Sequence, residues 1–227
     1  MNTMPPPVRH DWDLTIEQAE RLQEALSRQV IEADDGRPVR LVAGAVVTSG
    51  AHTSRIRAAV VVLEARSLTP IDKAVARGES TFPYRSGLRA FRELPTLLDA
   101  FDRLRTRPDL VVCAGHGRAH PRRLGLACHL GLWLDLPVIG CAMSRLIGTG
   151  PLPGAQRGAR RRLVRDGEVV GEALRTRTNI RPVFVSIGHR VSLIAARRWV
   201  LRLAKDYRLP EPLRAATSAR RRRESAP

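Results

Sequence analysis

Residues 109–141, DLVVCAGHGRAHPRRLGLACHLGLWLDLPVIGC, decide the fold class. Asp109–Ala114 (DLVVCA) is a short, continuous apolar run of the kind that forms a fully buried strand. Gly115-His116-Gly117 ends it. Arg122–Leu134 reads as a helix, and Pro137–Cys141 (PVIGC) returns to a short buried strand.

Working outward towards the N-terminus, Leu88–Leu104 places Leu88, Phe91, Leu94, Leu97, Leu98, Phe101 and Leu104 on one side of a helix. Before it, Val39–Thr48 (VRLVAGAVVT) and Arg57–Ala65 (RAAVVVLEA) are apolar, β-branched runs separated by a turn-like segment, as in a β-hairpin. A third strand is expected near Pro70–Arg77. Leu14–Glu32 has helical periodicity, and Thr15 followed by Gln18 matches the capping-box pattern. Towards the C-terminus, Arg161–Val170 and Val183–Ile187 read as strands and Ser192–Lys205 as a last helix. A hairpin followed by alternating helices and strands predicts an α/β domain, a mixed sheet flanked by helices. The expected limits are a disordered Pro-rich segment over residues 1–11, one domain over 12–214, and a mobile basic tail over 215–227 containing Arg220-Arg221-Arg222-Arg223.

The bulk properties narrow the classes. A chain of 227 residues, 43% hydrophobic, can bury one sizeable core. No apolar run approaches the ~20 residues of a membrane span, and MNTMPPPVRHDWD lacks the apolar stretch of a signal peptide. A soluble, cytoplasmic monomer is expected. Cys113, Cys128 and Cys141 are too few and too far apart for a zinc motif and are expected to be small core residues. A formal charge of +17 favours a polyanionic partner, although an arginine-rich codon bias gives the same balance. Charge alone does not separate DNA, RNA and an anionic membrane.

Several segments, in order and at matching spacing, resemble the endonuclease V family. Pro83-Tyr84-Arg85-Ser86-Gly87 followed by Phe91-Arg92-Glu93 is similar to its PYIPG…FRE segment. Gly115 to Arg123 (GHGRAHPRR) is similar to its DGHGxxHPRR signature, and Leu124–Gly140 continues the match. Gly188–Ser192 and Tyr207–Pro212 match two C-terminal signatures. The resemblance implies a ribonuclease H-like fold. It also implies Mg²⁺- or Mn²⁺-dependent hydrolysis of a phosphodiester on the 3′ side of inosine in DNA, and sometimes in RNA, with the base flipped into a pocket. Pro83, Tyr84, Arg85 and Gly87 would form a wedge against the bases, less rigid and more basic than the family's because Arg85 and Ser86 stand where the family has Ile and Pro. Gly115, His116, Gly117, Arg122 and Gly140 are the further candidates for nucleic-acid contact, the glycines because they let backbone approach a base or phosphate. By the same resemblance His120 and His189 lie beside the scissile phosphate, where a neutral histidine can orient or deprotonate water. His10 and His52 carry no signal.

The chain departs from the family where the metal is held. Glu93 is present, but Val46 and Ala114 stand at the two aspartate positions and Met143 at a lysine position. Magnesium requires oxygen ligands in near-octahedral geometry. Glu93 with water alone is a weak site. No neighbour is a convincing substitute: Asp109 is about 16 Å up its own strand, the facing of Glu64 is open, and Thr48 and Ser49 are poor ligands. Three readings follow. The leading one is a binding protein for inosine-containing DNA whose cleavage is impaired or lost. The others are an active endonuclease with a rearranged site, and a regulatory module without lesion specificity.

Overall fold

The computed structural model describes residues 8–50 and 53–221. Their element order is α1 (Ile16–Ser27), β1 (Leu41–Ser49), β2 (Arg55–Glu64), β3 (Pro70–Glu79), α2 (Arg89–Asp102), β4 (Leu110–Cys113), α3 (Leu126–Leu134), β5 (Val138–Ala142), β6 (Arg160–Arg165), β7 (Glu168–Leu174), β8 (Val183–His189), α4 (Leu193–Leu203) and α5 (Glu211–Arg221). One eight-stranded sheet runs in the order β3-β2-β1-β4-β5-β8-β7-β6. The central pairs β1–β4 and β4–β5 are parallel. The flanking pairs are antiparallel.

Strands buried on both faces need helices on both faces. Odd-numbered β1 residues such as Ala43, Ala45 and Val47 pack against α2 and α3. Val42 and Val46 pack on the opposite layer with α4 and α5. Alternation along the strand assigns each residue to its layer. α5 lies close on β1 because Gly44 has no side chain: a Cβ there would overlap the Pro212 carbonyl. α1 begins with the expected box, Thr15 and Gln18 capping reciprocally.

Four sequence expectations need correction. Residues 8–11 are ordered against α3, with Arg9 Nη1 donating to the Trp133 carbonyl at 2.7 Å and the His10 ring against Trp12 and Trp133. Residues 1–7 lie outside the described residues. The single strand read at Arg161–Val170 is a hairpin, turned by Asp166 and Gly167 at φ 54° and 80°, the two positive φ values that a type I′ turn requires. The helix read from Arg122 starts at Leu126. The boundary drawn at residue 214 falls inside α5, whose Ala216 is fully buried. Arg222, Arg223 and the remaining C-terminal residues lie outside the described residues. All three cysteines are buried, as expected.

Candidate functional site

β1 and β4 run side by side, so Val46 and Ala114 come together at their C-terminal ends; the Ala114 N–H donates to the Ala45 carbonyl at 2.8 Å. They line a cleft of about 390 Å³ with Met143 from the loop after β5 and with Leu213, Thr217, Arg220 and Arg221 from α5. The three substituted positions therefore do share one site. Met143 is 59% exposed, so its side chain is at the mouth rather than the floor.

Glu93 does not line that cleft. It lies on α2, on the other layer, and is 0% exposed. Arg89, one turn earlier, holds it: Nε donates to Oε1 at 3.0 Å, and Nη2 donates to Oε1 at 2.9 Å and to Oε2 at 3.1 Å. The Ser49 hydroxyl adds a bond of 2.5 Å. Arg89 stands between Glu93 and the cleft, and it lines the cleft itself.

Arg89 also lines a second cleft, of about 230 Å³, together with Tyr84, Gly87, Gly115, His116, His120, Ser144 and Arg145. Gly115, His116 and Ser144 belong to both, so the two clefts meet at Arg89. Pro83, Tyr84 and Arg85 are exposed on a loop at the rim, with Tyr84 51% exposed. The base of this loop is rigidly tied. Phe82 stacks on Phe91 at 5.4 Å, and the buried Arg92 donates to the carbonyls of Phe82 and Thr53. The Gly87 carbonyl accepts from Gln23 Nε2 at 3.0 Å and bonds His120 Nε2 at 2.8 Å.

His120 is thus occupied on both nitrogens, since the Arg122 N–H donates to its Nδ1 at 3.2 Å. That fixes Nε2 as the protonated nitrogen, donating to Gly87. Burial pushes its pKa down to about 4, the Gly87 bond opposing and the Arg122 charge assisting. The ring is neutral at pH 7 and ties the wedge loop to the signature loop. His116 is also held down at about 4, by burial and then by the charge of Arg89. Its buried Nδ1 has no hydrogen-bond partner.

Several expected residues are elsewhere. His189 pairs with Val138 at the start of β5, whereas Met143 follows that strand's end, a separation of about 16 Å at 3.3 Å per residue. It accepts from the Ile31 N–H at 3.2 Å and is 3.7 Å from Asp135. Arg122 is bound to α1 through Glu20 at 3.0 Å and Gln23 at 2.7 Å. Gly117 and Gly140 line neither cleft. Gly117 is glycine because a Cβ would overlap the Ile187 carbonyl, and Gly140 lies beneath that loop against Gly117 and Ser186. Asp109 caps the far end of β1 through the N–H groups of Arg40 and Leu41.

The residues present do not fit a magnesium or manganese ion. Two of the three carboxylate positions offer no side-chain oxygen, and the third carboxylate is already bonded through both oxygens to a fixed positive charge. Among the described residues, no three His, Cys, Asp or Glu side chains converge to hold a metal. The sequence reading missed Arg89, Gln23 and Thr217, and it placed Arg220 and Arg221 in a mobile basic tail rather than on the wall of this cleft. Arg89 four residues before Glu93 was a visible helical ion-pair spacing, and Gln23 was a polar residue on the apolar face of α1.

The endonuclease V family model matches residues 24–218. The chain belongs to the endonuclease V family. It is 51% identical over 214 residues to endonuclease V of Roseiflexus castenholzii, covering 94% of this chain and 95% of the relative. Its fold matches the crystal structure of endonuclease V from Streptomyces avermitilis at a TM-score of 0.88 and 44% identity, over 94% and 95% of the two chains. Endonuclease V of Ciona intestinalis, solved with a 23mer DNA containing an inosine followed by a ribo-adenosine, matches at a TM-score of 0.79 and 26% identity, over 92% and 97%. The expected ribonuclease H-like arrangement is that of this family. No helix among the described residues is long and apolar enough to cross a membrane.

Proposed function

We propose that this chain binds inosine-containing DNA in the joined clefts and that metal-dependent cleavage is impaired or lost. The observation that carries the reading is the Arg89–Glu93 pair, which stands between the tied wedge loop and a cleft without metal ligands. Tyr84 is exposed on a loop tied at both ends, so it can enter a base stack without ordering cost elsewhere. Flipping a base is least costly at a mismatched or damaged pair, which favours inosine over a matched duplex. Neither cleft has an Asp or Glu in its lining to repel phosphate. The Ciona protein's complex with inosine-containing DNA supports the same ligand class here.

The test is competition between inosine and matched duplexes for the full chain, beside a nicking assay in Mn²⁺. Preferential binding without nicking is expected. Equal binding of both duplexes would remove lesion specificity. The extent of likeness to relatives named endonuclease V favours the alternative, an active nuclease with a rearranged site, and efficient nicking by the parent protein would establish it.

A further inference from the structure

Arg89 commits Nε and Nη2 to Glu93, while its Nη1 makes no hydrogen bond among the described residues. The side chain is 49% exposed, against 0% for its partner. The carboxylate is therefore behind the guanidinium, and an incoming ligand meets the positive group. Arg220 and Arg221 reach the same cleft, and the His116 ring lines both clefts where they meet. Such a surface suits an anion with several acceptor oxygens.

We propose that Arg89, fixed in place by Glu93, is a built-in cation that binds a nucleic-acid backbone phosphodiester without any divalent metal. The inference rests on the reading that this site takes nucleic acid. A guanidinium carries a permanent charge and a planar fork matched to phosphate oxygens. Because its rotamer is fixed by three bonds to Glu93, little ordering entropy is lost when phosphate arrives. The same positive group repels a second cation, so metal and Arg89 are alternatives at this place rather than partners.

The experiment measures fluorescence anisotropy of a labelled inosine-containing duplex with the full chain, in EDTA and then in Mg²⁺. Wild type should bind equally in both, within about twofold. Arg89→Gln alone would leave the buried Glu93 charge unpaired and endanger folding. The variant used is therefore Arg89→Gln with Glu93→Gln, which removes both charges together. It should bind about tenfold more weakly in EDTA. Undiminished binding by the folded double variant would overturn the proposal and leave the nucleic-acid reading standing. Wild-type binding that requires Mg²⁺ would overturn it even if the double variant does not fold. Absence of wild-type binding under both conditions would remove the nucleic-acid reading, and this proposal with it.

Discussion

The wedge-side cleft and the strand-end cleft share a wall at Arg89 but are built on different principles. In the first, polar groups hold backbone: Gln23 and His120 bond the Gly87 carbonyl, and Arg92 holds Phe82 and Thr53. The Gly87 carbonyl keeps one donor if either Gln23 or His120 is lost, whereas removing Arg92 would strip the buried Phe82 of its carbonyl's donor, which costs about 1–3 kcal/mol. In the second, Val46 packs in the core layer beneath α4 and α5 and the Met143 carbonyl accepts from Arg208, but no side chain of Val46, Ala114 or Met143 makes a polar contact that ties backbone. Metal-binding carboxylates are coupled to catalysis rather than to folding, and apolar replacements on a packed layer are stable there. Folding therefore holds the wedge side together whatever the chemistry of the site, while the strand-end side tolerates apolar residues without cost to the fold. Arg89 turns that freedom into a defined arrangement by giving the remaining carboxylate a partner.

The largest effect should come from trying to make the strand-end cleft metal-dependent again. Val46→Asp, Ala114→Asp and Met143→Lys together leave Arg89 in place, so the new carboxylates would pair with its guanidinium. Nicking of an inosine duplex in Mn²⁺ should stay near the parent's level. Adding Arg89→Leu frees Glu93 and removes the repelling charge, leaving Mn²⁺ as the partner of the three carboxylates, so folding of this variant in Mn²⁺ is established before its rate is read. Metal stabilisation of a reacting phosphate is worth several kcal/mol, so the quadruple variant should exceed the triple by about a hundredfold or more in rate. Similar rates for the two variants would show that Arg89 does not block the metal.

Acid should weaken the wedge side. His116 and His120 both have folded pKa values near 4, below the ordinary 6.5. Between those values the unfolded chain binds more protons than the folded one, so their contribution to stability is whole above about 6.5 and falls with pH. The slope is at most about 1.4 kcal/mol per pH unit for each histidine, ending near pH 4. His129, pushed down to about 3, and His189, near 4, act in the same direction. His120→Asn should flatten the urea-denaturation profile between pH 6.5 and 4. An unchanged slope would mean that this histidine is not neutral in the folded chain.

Much of this architecture was legible in the sequence, for identifiable reasons. The first central helix has strong periodicity, and the hairpin and short buried strands are apolar runs whose short length and β-branched residues, bounded by turn residues, mark them as strands. α5 was not legible because EPLRAATSARR is mostly polar; the close approach at Gly44 holds it to the sheet, a tertiary cause. The Asp166–Gly167 turn carried its own signal, an Asp-Gly pair between two short strand segments. At the site, motif matching located Tyr84, His116 and the substituted positions. It could not say which end of the sheet a matched residue occupies, so His189 was placed with the cleft although antiparallel β8 carries it to the other end. Arg122 matched a signature and proved to be spent on α1. Arg89 was passed over because it lies between two matched pieces.

A smaller effect is expected from the wedge itself. Tyr84→Ala should leave the melting temperature unchanged, since the ring is half exposed. It should weaken binding of an inosine duplex by the about 1–3 kcal/mol of a stacked base. The loss should exceed that for a matched duplex. Equal losses would make Tyr84 a general contact rather than a lesion wedge.

The smallest effect tests whether α5 belongs to the strand-end cleft in function as well as in place. Arg220 bonds the Thr48 hydroxyl from one side of that cleft, and Arg221 is exposed beside it. If both touch phosphate, each displaces about one condensed counterion, and log affinity falls less steeply with log salt by about 0.9 for each arginine removed. Arg220→Ala with Arg221→Ala should therefore flatten the slope by about 1–2 while leaving the preference for inosine unaltered, since phosphate contacts position the chain without reading bases. The loss should be visible at low salt and fade as salt screens the remaining arginines. A slope unchanged in the double variant would assign phosphate binding to the wedge-side cleft and Arg89 alone. A lost inosine preference would mean instead that α5 helps to read the base, which would join the two clefts into a single recognition surface.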